Sequence, residues 1–224
     1  MAFSLNIADT TLLQPGDSAP GFVQSSIGNP RYAFESTAGR YLVLCFYGSA
    51  GDAHAQAAVK SALERPDIFN DSIASFFGVS IDPEDEANKR VVNQIPGYRH
   101  FWDFDLLVSK LYGAIPRNAQ PILGAFPLSR QWLIIDPTMR VINAIPFRAD
   151  HGDIAEVFAI LDRLPPPACF AGPELMAPIL YLPRVFEPEL CQHLIGLYEA
   201  QGGKESGFMR EVDGRTVGIT DPKF

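Results

Sequence analysis

The residues able to do chemistry cluster around one loop, Gly48-Ser49-Ala50-Gly51-Asp52-Ala53-His54. A helix N-terminus following such a loop exposes free N–H groups and the positive end of the helix dipole, which favour an anion. Asp52 and His54 have the types of an acid–base pair. Capping by Asp52 and simple exposure of His54 are the favoured alternative, because Asp is a strong N-cap residue. Arg130 is a candidate anion ligand near this loop, with a structural ion pair the equal alternative. The loop lacks the Gly-Lys-Ser/Thr of a phosphate-binding P-loop. His151-Gly152-Asp153 followed by His193 has the ligand types of an iron facial triad. Against that, Asp153 stands where a helix N-cap is wanted. Three cysteines, Cys45, Cys169 and Cys191, are widely spaced with no CxxC. Cys45 reads as an inert core thiol, Cys169 as an exposed one, and Cys191 as part of an apolar helix face with Leu194, Ile195 and Tyr198.

Elements must hold these groups in place. Tyr41 to Tyr47 is a continuous apolar run rich in β-branched and aromatic residues, ended by Gly48, and reads as a strand buried on both faces. Ala53 to Glu64 reads as a helix that Pro66 ends. Ser75 to Ile81 is a second buried strand, and Asp82 opens a helix to about Asn93. Phe101-Trp102-Asp103 is extended, and Leu106 to Tyr112 is helical. Residues 114–128 form a Pro-rich loop. Gln131 to Asp136 is a third strand with a hairpin partner from Arg140 to Ile145. Asp153 to Leu164 is an amphipathic helix. Arg31 to Phe34 is a short edge strand. Pro165-Pro166-Pro167 cannot continue a helix and marks a boundary. Beyond it come a strand at Ile179 to Leu182, a helix at Pro188 to Ala200, and a Gly-rich charged tail. Residues 205–224 bury little apolar area and are expected to be loosely ordered.

Composition narrows the function classes. The chain of 224 residues is 47% hydrophobic and 20% charged, with a net charge of −8. Its pI is about 5.0. The acidity argues against nucleic-acid or anionic-membrane binding. No stretch reaches the roughly 18 apolar residues of a membrane helix. The N-terminal residues lack a basic region followed by a long apolar one, so no signal peptide is expected. A reducing cytoplasm is the expected compartment.

Several segments together resemble the peroxiredoxins, the alkyl hydroperoxide reductase/thiol-specific antioxidant family. Gly16-Asp17-Ser18-Ala19-Pro20-Gly21-Phe22 resembles their opening, and Arg40 to Gly48 their central strand. Val79-Ser80-Ile81-Asp82, Leu111-Tyr112-Gly113, and Arg130 with Leu133-Ile134-Ile135-Asp136 follow in the family's order. The resemblance covers about residues 12–164. It implies an α/β, thioredoxin-like fold: a central mixed sheet flanked by helices. It also implies a thiol-peroxidase site, and there this chain departs. The family's Pro-x-x-x-Thr-x-x-Cys places proline at Gly48, threonine at Asp52 and the peroxidatic cysteine at Ala55. Of the family's site residues only Arg130 remains.

The last segment has a second resemblance. Tyr181 to Phe186, Glu187 to Cys191, the helix to Tyr198, Gly207-Phe208 and Asp213-Gly214 look like the start of a prolyl-4-hydroxylase-type 2-oxoglutarate/iron(II) dioxygenase. In that family the iron-binding His-x-Asp and distal His come later than these motifs, so the resemblance stops at Phe224 before reaching them. The expected organisation is therefore a peroxiredoxin-like domain over 1–164, a Pro-rich linker over 165–178, and a short incomplete α+β segment over 179–224. No cofactor or metal ligand set is expected within this chain, Fe(II) and 2-oxoglutarate being implied only for a longer parent protein. Function then reads as a peroxidase-inactive accessory or interaction domain, with a protein partner or a homodimer as the partner class. The alternative is a thiol peroxidase or oxidoreductase using a displaced cysteine.

Overall fold

A computed structural model describes residues 12–119, 126–170, 185–202, 208–212 and 214–219. The chain divides into two compact units, Met1–Met176 and Ala177–Phe224.

The first unit is built on β3 (Tyr41–Gly48), all eight of whose residues are buried. Burial on both faces explains why the sequence here is continuously apolar rather than alternating. Tyr41, Val43, Cys45 and Tyr47 face one core, completed by Ala55, Ala58 and Ala62 of α1 (Ala53–Leu63) and by Val157 and Leu161 of α4 (Gly152–Leu161). Leu42, Leu44 and Phe46 face the other, with Phe22, Phe34, Phe77, Phe101, Val108 and Tyr112. Three alanines on α1 let that helix lie close against the sheet.

The sheet has seven strands in the order β2-β1-β5-β4-β3-β6-β7. These are β1 (Val23–Ser26), β2 (Asn29–Ala33), β4 (Ala74–Ser80), β5 (Tyr98–Trp102), β6 (Gln131–Ile135) and β7 (Val141–Pro146). β3–β4 and β4–β5 are parallel, whereas β3–β6 and β6–β7 are antiparallel. Leu42 pairs with Ile135 and Leu44 with Leu133, so the two apolar runs are neighbours at the centre. Gly16-Asp17 ladders onto Val141, and the Tyr112 hydroxyl donates to the Pro20 carbonyl at 2.7 Å.

Three expectations about elements change. The helix opened by Asp82 is α2 (Pro83–Ala87) and stops well short of Asn93. Lys89 turns to a φ of +50°. Asn93 is needed instead to accept from the His100 N–H and donate to the Ile27 carbonyl. Asp153 is not the cap of α4: His151 holds that position, and Asp153 lies buried in the first turn. In the second unit α5 (Pro188–Gln201) has no buried residue, and Cys191 is half-buried on it rather than in a core. The tail expected to be loosely ordered carries an antiparallel hairpin, β8 (Phe208–Val212) with β9 (Arg215–Ile219), whose described side chains are exposed, so cross-strand pairing and not apolar burial holds it. The strand expected at Ile179 to Leu182 lies outside the described residues. Of the Pro-rich segment, residues 165–170 pack on the first unit: Tyr41 donates to the Pro165 carbonyl at 2.7 Å and stacks edge-on against Phe170. Among the described residues, no helix is long and apolar enough to cross a membrane.

Gly78 in β4 is a point of close packing in the first core. A Cβ there would lie 2.4 Å from His100 Nδ1 and 2.6 Å from the Tyr47 ring. Both neighbours are fully packed, so neither can swing aside. Gly78→Ala is expected to destabilise the chain by about 1–3 kcal/mol, as overpacked cores do, with urea unfolding as the measurement.

Candidate functional site

Asp52 ends the loop after β3 and caps α1. Its Oδ1 accepts from the backbone N–H of His54 at 3.0 Å and of Ala55 at 3.1 Å. The same oxygen accepts from Arg130 Nη1 at 2.5 Å. Partial burial pulls the Asp52 carboxyl up. The Ala55 N–H, the Arg130 guanidinium and the His54 N–H outweigh it and hold the group below its ordinary range. These same donors therefore favour the anionic form of Asp52. The Arg130 guanidinium lies over the Phe147 ring, 5.3 Å from its centroid. Arg130 and the loop are therefore brought together, and the bond that joins them is an ion pair.

Acidic side chains pin the loop from the far side. Ser49 Oγ donates to Asp82 Oδ2 at 2.6 Å. The fully buried Asp85 accepts from the Ala50 N–H at 2.8 Å and from Ser80 Oγ at 2.7 Å. Arg90 Nη1 reaches both carboxylates, at 3.0 and 3.1 Å, and neutralises the buried charge. Gly48 has a φ of +86°, and a Cβ on it would come within 2.7 Å of Leu128. Proline is locked near −65°, so this backbone excludes the proline that the peroxiredoxin loop carries.

Ala55 is fully buried, its side chain part of the core beneath α1. Cys45 is sealed in β3, and burial first, then the Asp153 carboxylate, push its thiol well up despite Arg130. Cys169 is exposed in the 3-10 turn Pro167–Phe170, beside the ring that packs on Tyr41. It therefore belongs to the start of β3, the end opposite the loop.

His54 contradicts its expected exposure. Its ring does not pair with the Asp52 side chain but turns inward, where Nε2 lies 3.2 Å from Asp153 Oδ1. It stacks on His151 at 3.9 Å between centroids and against Phe147 at 4.4 Å. Asp153 also accepts from Trp132 Nε1 at 2.9 Å and from the Arg148 N–H at 3.1 Å. The signal for this buried network was Trp132, whose indole N–H in a buried strand requires an acceptor. These bonds commit Asp153 elsewhere, so the facial-triad pattern does not assemble from it. Among the described residues, no three His, Cys, Asp or Glu side chains are grouped to hold a metal.

Between the loop, α2 and the segment before β6 lies a cleft of about 610 Å³. Ile81, Pro83, Phe104, Phe126 and Leu128 form its walls, with Asp52, Asp82 and Arg130 as its charged members. Tyr47 closes one end, sharing a hydrogen bond of 3.2 Å with His100 Nδ1.

No protein-family model and no curated protein sequence matches the chain. Solved structures do. A peroxidoxin, BcpB, from Mycobacterium tuberculosis is 21% identical, with a TM-score of 0.52 over 68% of this chain and 99% of that one. A cysteine-to-serine mutant of PrxQ from Xylella fastidiosa is 19% identical, with a TM-score of 0.54 over 68% and 97%. AhpC of Mycobacterium tuberculosis is 17% identical, with a TM-score of 0.53 over 68% and 93%.

His100 behind the site generates a pH dependence. Burial lowers its pKa to about 3, so it is neutral in the fold. The unfolded chain takes up a proton below about 6.5. Stability contributed here is full above that pH, falls as the pH drops toward 3, and is gone below it. Urea unfolding at pH 7 and pH 4 is expected to show a His100→Gln chain losing a few kcal/mol less on acidification than the native chain. Taken together, sheet topology and neighbours give this chain a thioredoxin-like fold of the peroxiredoxin type.

Proposed function

We propose that this chain is a peroxiredoxin-like domain without thiol-peroxidase activity, acting as an accessory or interaction domain of a 2-oxoglutarate/iron(II) dioxygenase-type protein. One observation carries the first part: the position of the attacking thiol is Ala55, and its methyl group is buried in the core. Peroxide reduction needs a thiolate to attack one peroxide oxygen, displace the other and become a sulfenic acid. Electrostatics at a helix terminus can acidify a thiol but cannot replace it. Asp52 opposes the chemistry further, because its carboxylate takes up the first N–H groups of α1 and Nη1 of Arg130 and sets a negative charge beside the place where a thiolate would form.

The cysteines that are present do not substitute. Cys45 is sealed and its thiol is pushed up by burial. Cys169 sits at the other end of β3, about 20 Å from the loop by strand geometry. The second part rests on the dioxygenase-like segment from Tyr181, and iron and 2-oxoglutarate enter only through the domain that segment would begin. Three free cysteines fit a reducing, cytoplasmic setting.

Peroxide consumption with a dithiol reductant is expected to stay at the level of a free thiol. Rapid turnover abolished by Cys45→Ser, Cys169→Ser or Cys191→Ser would establish the displaced-cysteine enzyme instead. The double change Ala55→Cys with Asp52→Thr keeps a capping side chain on α1. It is expected to leave peroxide reactivity low, because the new thiol inherits the buried position of Ala55. A fast reaction in that variant would mean that only the nucleophile is missing.

A further inference from the structure

The Asp52–Arg130 pair leaves half of each group unused. All three donors to Asp52 converge on Oδ1. Among the described contacts, Oδ2 has no partner. Arg130 spends Nη1 on Asp52 and its ring face on Phe147. Its Nε and Nη2 have no partner among the described contacts. The two side chains remain 45% and 35% exposed, and both line the 610 Å³ cleft. The cleft thus presents a fixed carboxylate oxygen beside fixed guanidinium N–H groups, at the edge of a wall made by Ile81, Pro83, Phe104, Phe126 and Leu128. Phe104 is 36% exposed, and such an apolar surface beside a polar couple is the usual make-up of a small-ligand site.

We propose that this cleft binds an apolar or aromatic α-amino acid. The ligand ammonium donates to Asp52 Oδ2, the ligand carboxylate accepts from Arg130, and the side chain lies on the apolar wall. A lone anion meets the Asp52 carboxylate, and a lone cation meets the Arg130 guanidinium, so neither matches both charges. A zwitterion with both charged groups on one carbon does. The size also fits, since sites for small molecules span roughly 300–1,000 Å³. Arg130 is held in place from behind by Phe147, which reduces the ordering needed on binding. The loop is likewise pre-set by Asp82 and Asp85. This inference rests on the reading that the cleft is not a peroxidase site, and binding is measured with no peroxide or reductant present, so the two can fail separately.

The test is titration of the full chain with L-phenylalanine, followed by amide chemical shifts and by calorimetry. Saturable binding with shifts at Asp52, Phe104 and Arg130 is expected. 3-Phenylpropionate lacks the ammonium, and phenethylamine lacks the carboxylate. Each is expected to bind at least about tenfold more weakly, the loss of one charge-assisted hydrogen bond. Asp52→Asn preserves the cap of α1 while removing the charge. It and Arg130→Gln are expected to weaken L-phenylalanine by a similar factor, with unchanged far-ultraviolet circular dichroism showing that the fold is intact. No saturable binding overturns the proposal, as do one-charge analogues that bind equally well. Tighter binding of N-acetyl-phenylalaninamide than of phenylalanine also overturns it, because the occupant would then be a peptide.

Discussion

Burial of β3 on both faces is the constraint from which the rest of this domain follows. A strand with no solvent face must pair on both edges and be covered by two layers. β4 and β6 supply the edges. α1 and α4 cover one face, while Phe22 before β1, Phe34 after β2, and α3 (Leu107–Leu111) through Val108 cover the other. The strand must also end somewhere, and it ends at Gly48 with a positive φ. That turn delivers the chain to Asp52 and α1, so the site is placed by the termination of the central strand.

Once there, Asp52 decides the electrostatics. A carboxylate at an N-cap satisfies free N–H groups and is stabilised by the helix dipole. Arg130 arrives from the position just before β6 and completes the neutralisation. The same geometry with a neutral cap would leave N–H groups and a guanidinium free to gather around a developing anion. With Asp52, the helix N–H groups and one N–H of the guanidinium are occupied by the protein's own charge. One residue type therefore turns an anion-attracting terminus into a balanced ion pair beside an apolar cleft.

Behind this surface, two buried carboxylates are matched by several donors each. Asp153 accepts from Trp132 and from the Arg148 backbone, and meets His54. Asp85 accepts from Ala50 and Ser80, and from Arg90. Such networks are rigid when satisfied, because removing one member strands the others in low dielectric. They hold loop and helix in one arrangement.

The sequence by itself determined the strands and their order of burial. Tyr41 to Tyr47, Ser75 to Ile81 and Gln131 to Asp136 are apolar runs too short for helices of that length and bounded by turn residues. Capping by Asp52 was equally legible, because it depends on residues adjacent in the chain. So was the absence of a thiol at Ala55. What the sequence left undetermined were contacts between residues far apart. His54 and Asp153 are separated by 99 positions, and nothing local says that the imidazole turns inward rather than toward Asp52 or solvent. The early end of α2 depended on Asn93 reaching β5 and Ile27 in the turn after β1. The union of Asp52 with Arg130 likewise required the antiparallel pairing of β6 with β3. Local propensity and periodicity act over a few residues. Only packing of the whole sheet decides which charged groups meet across it.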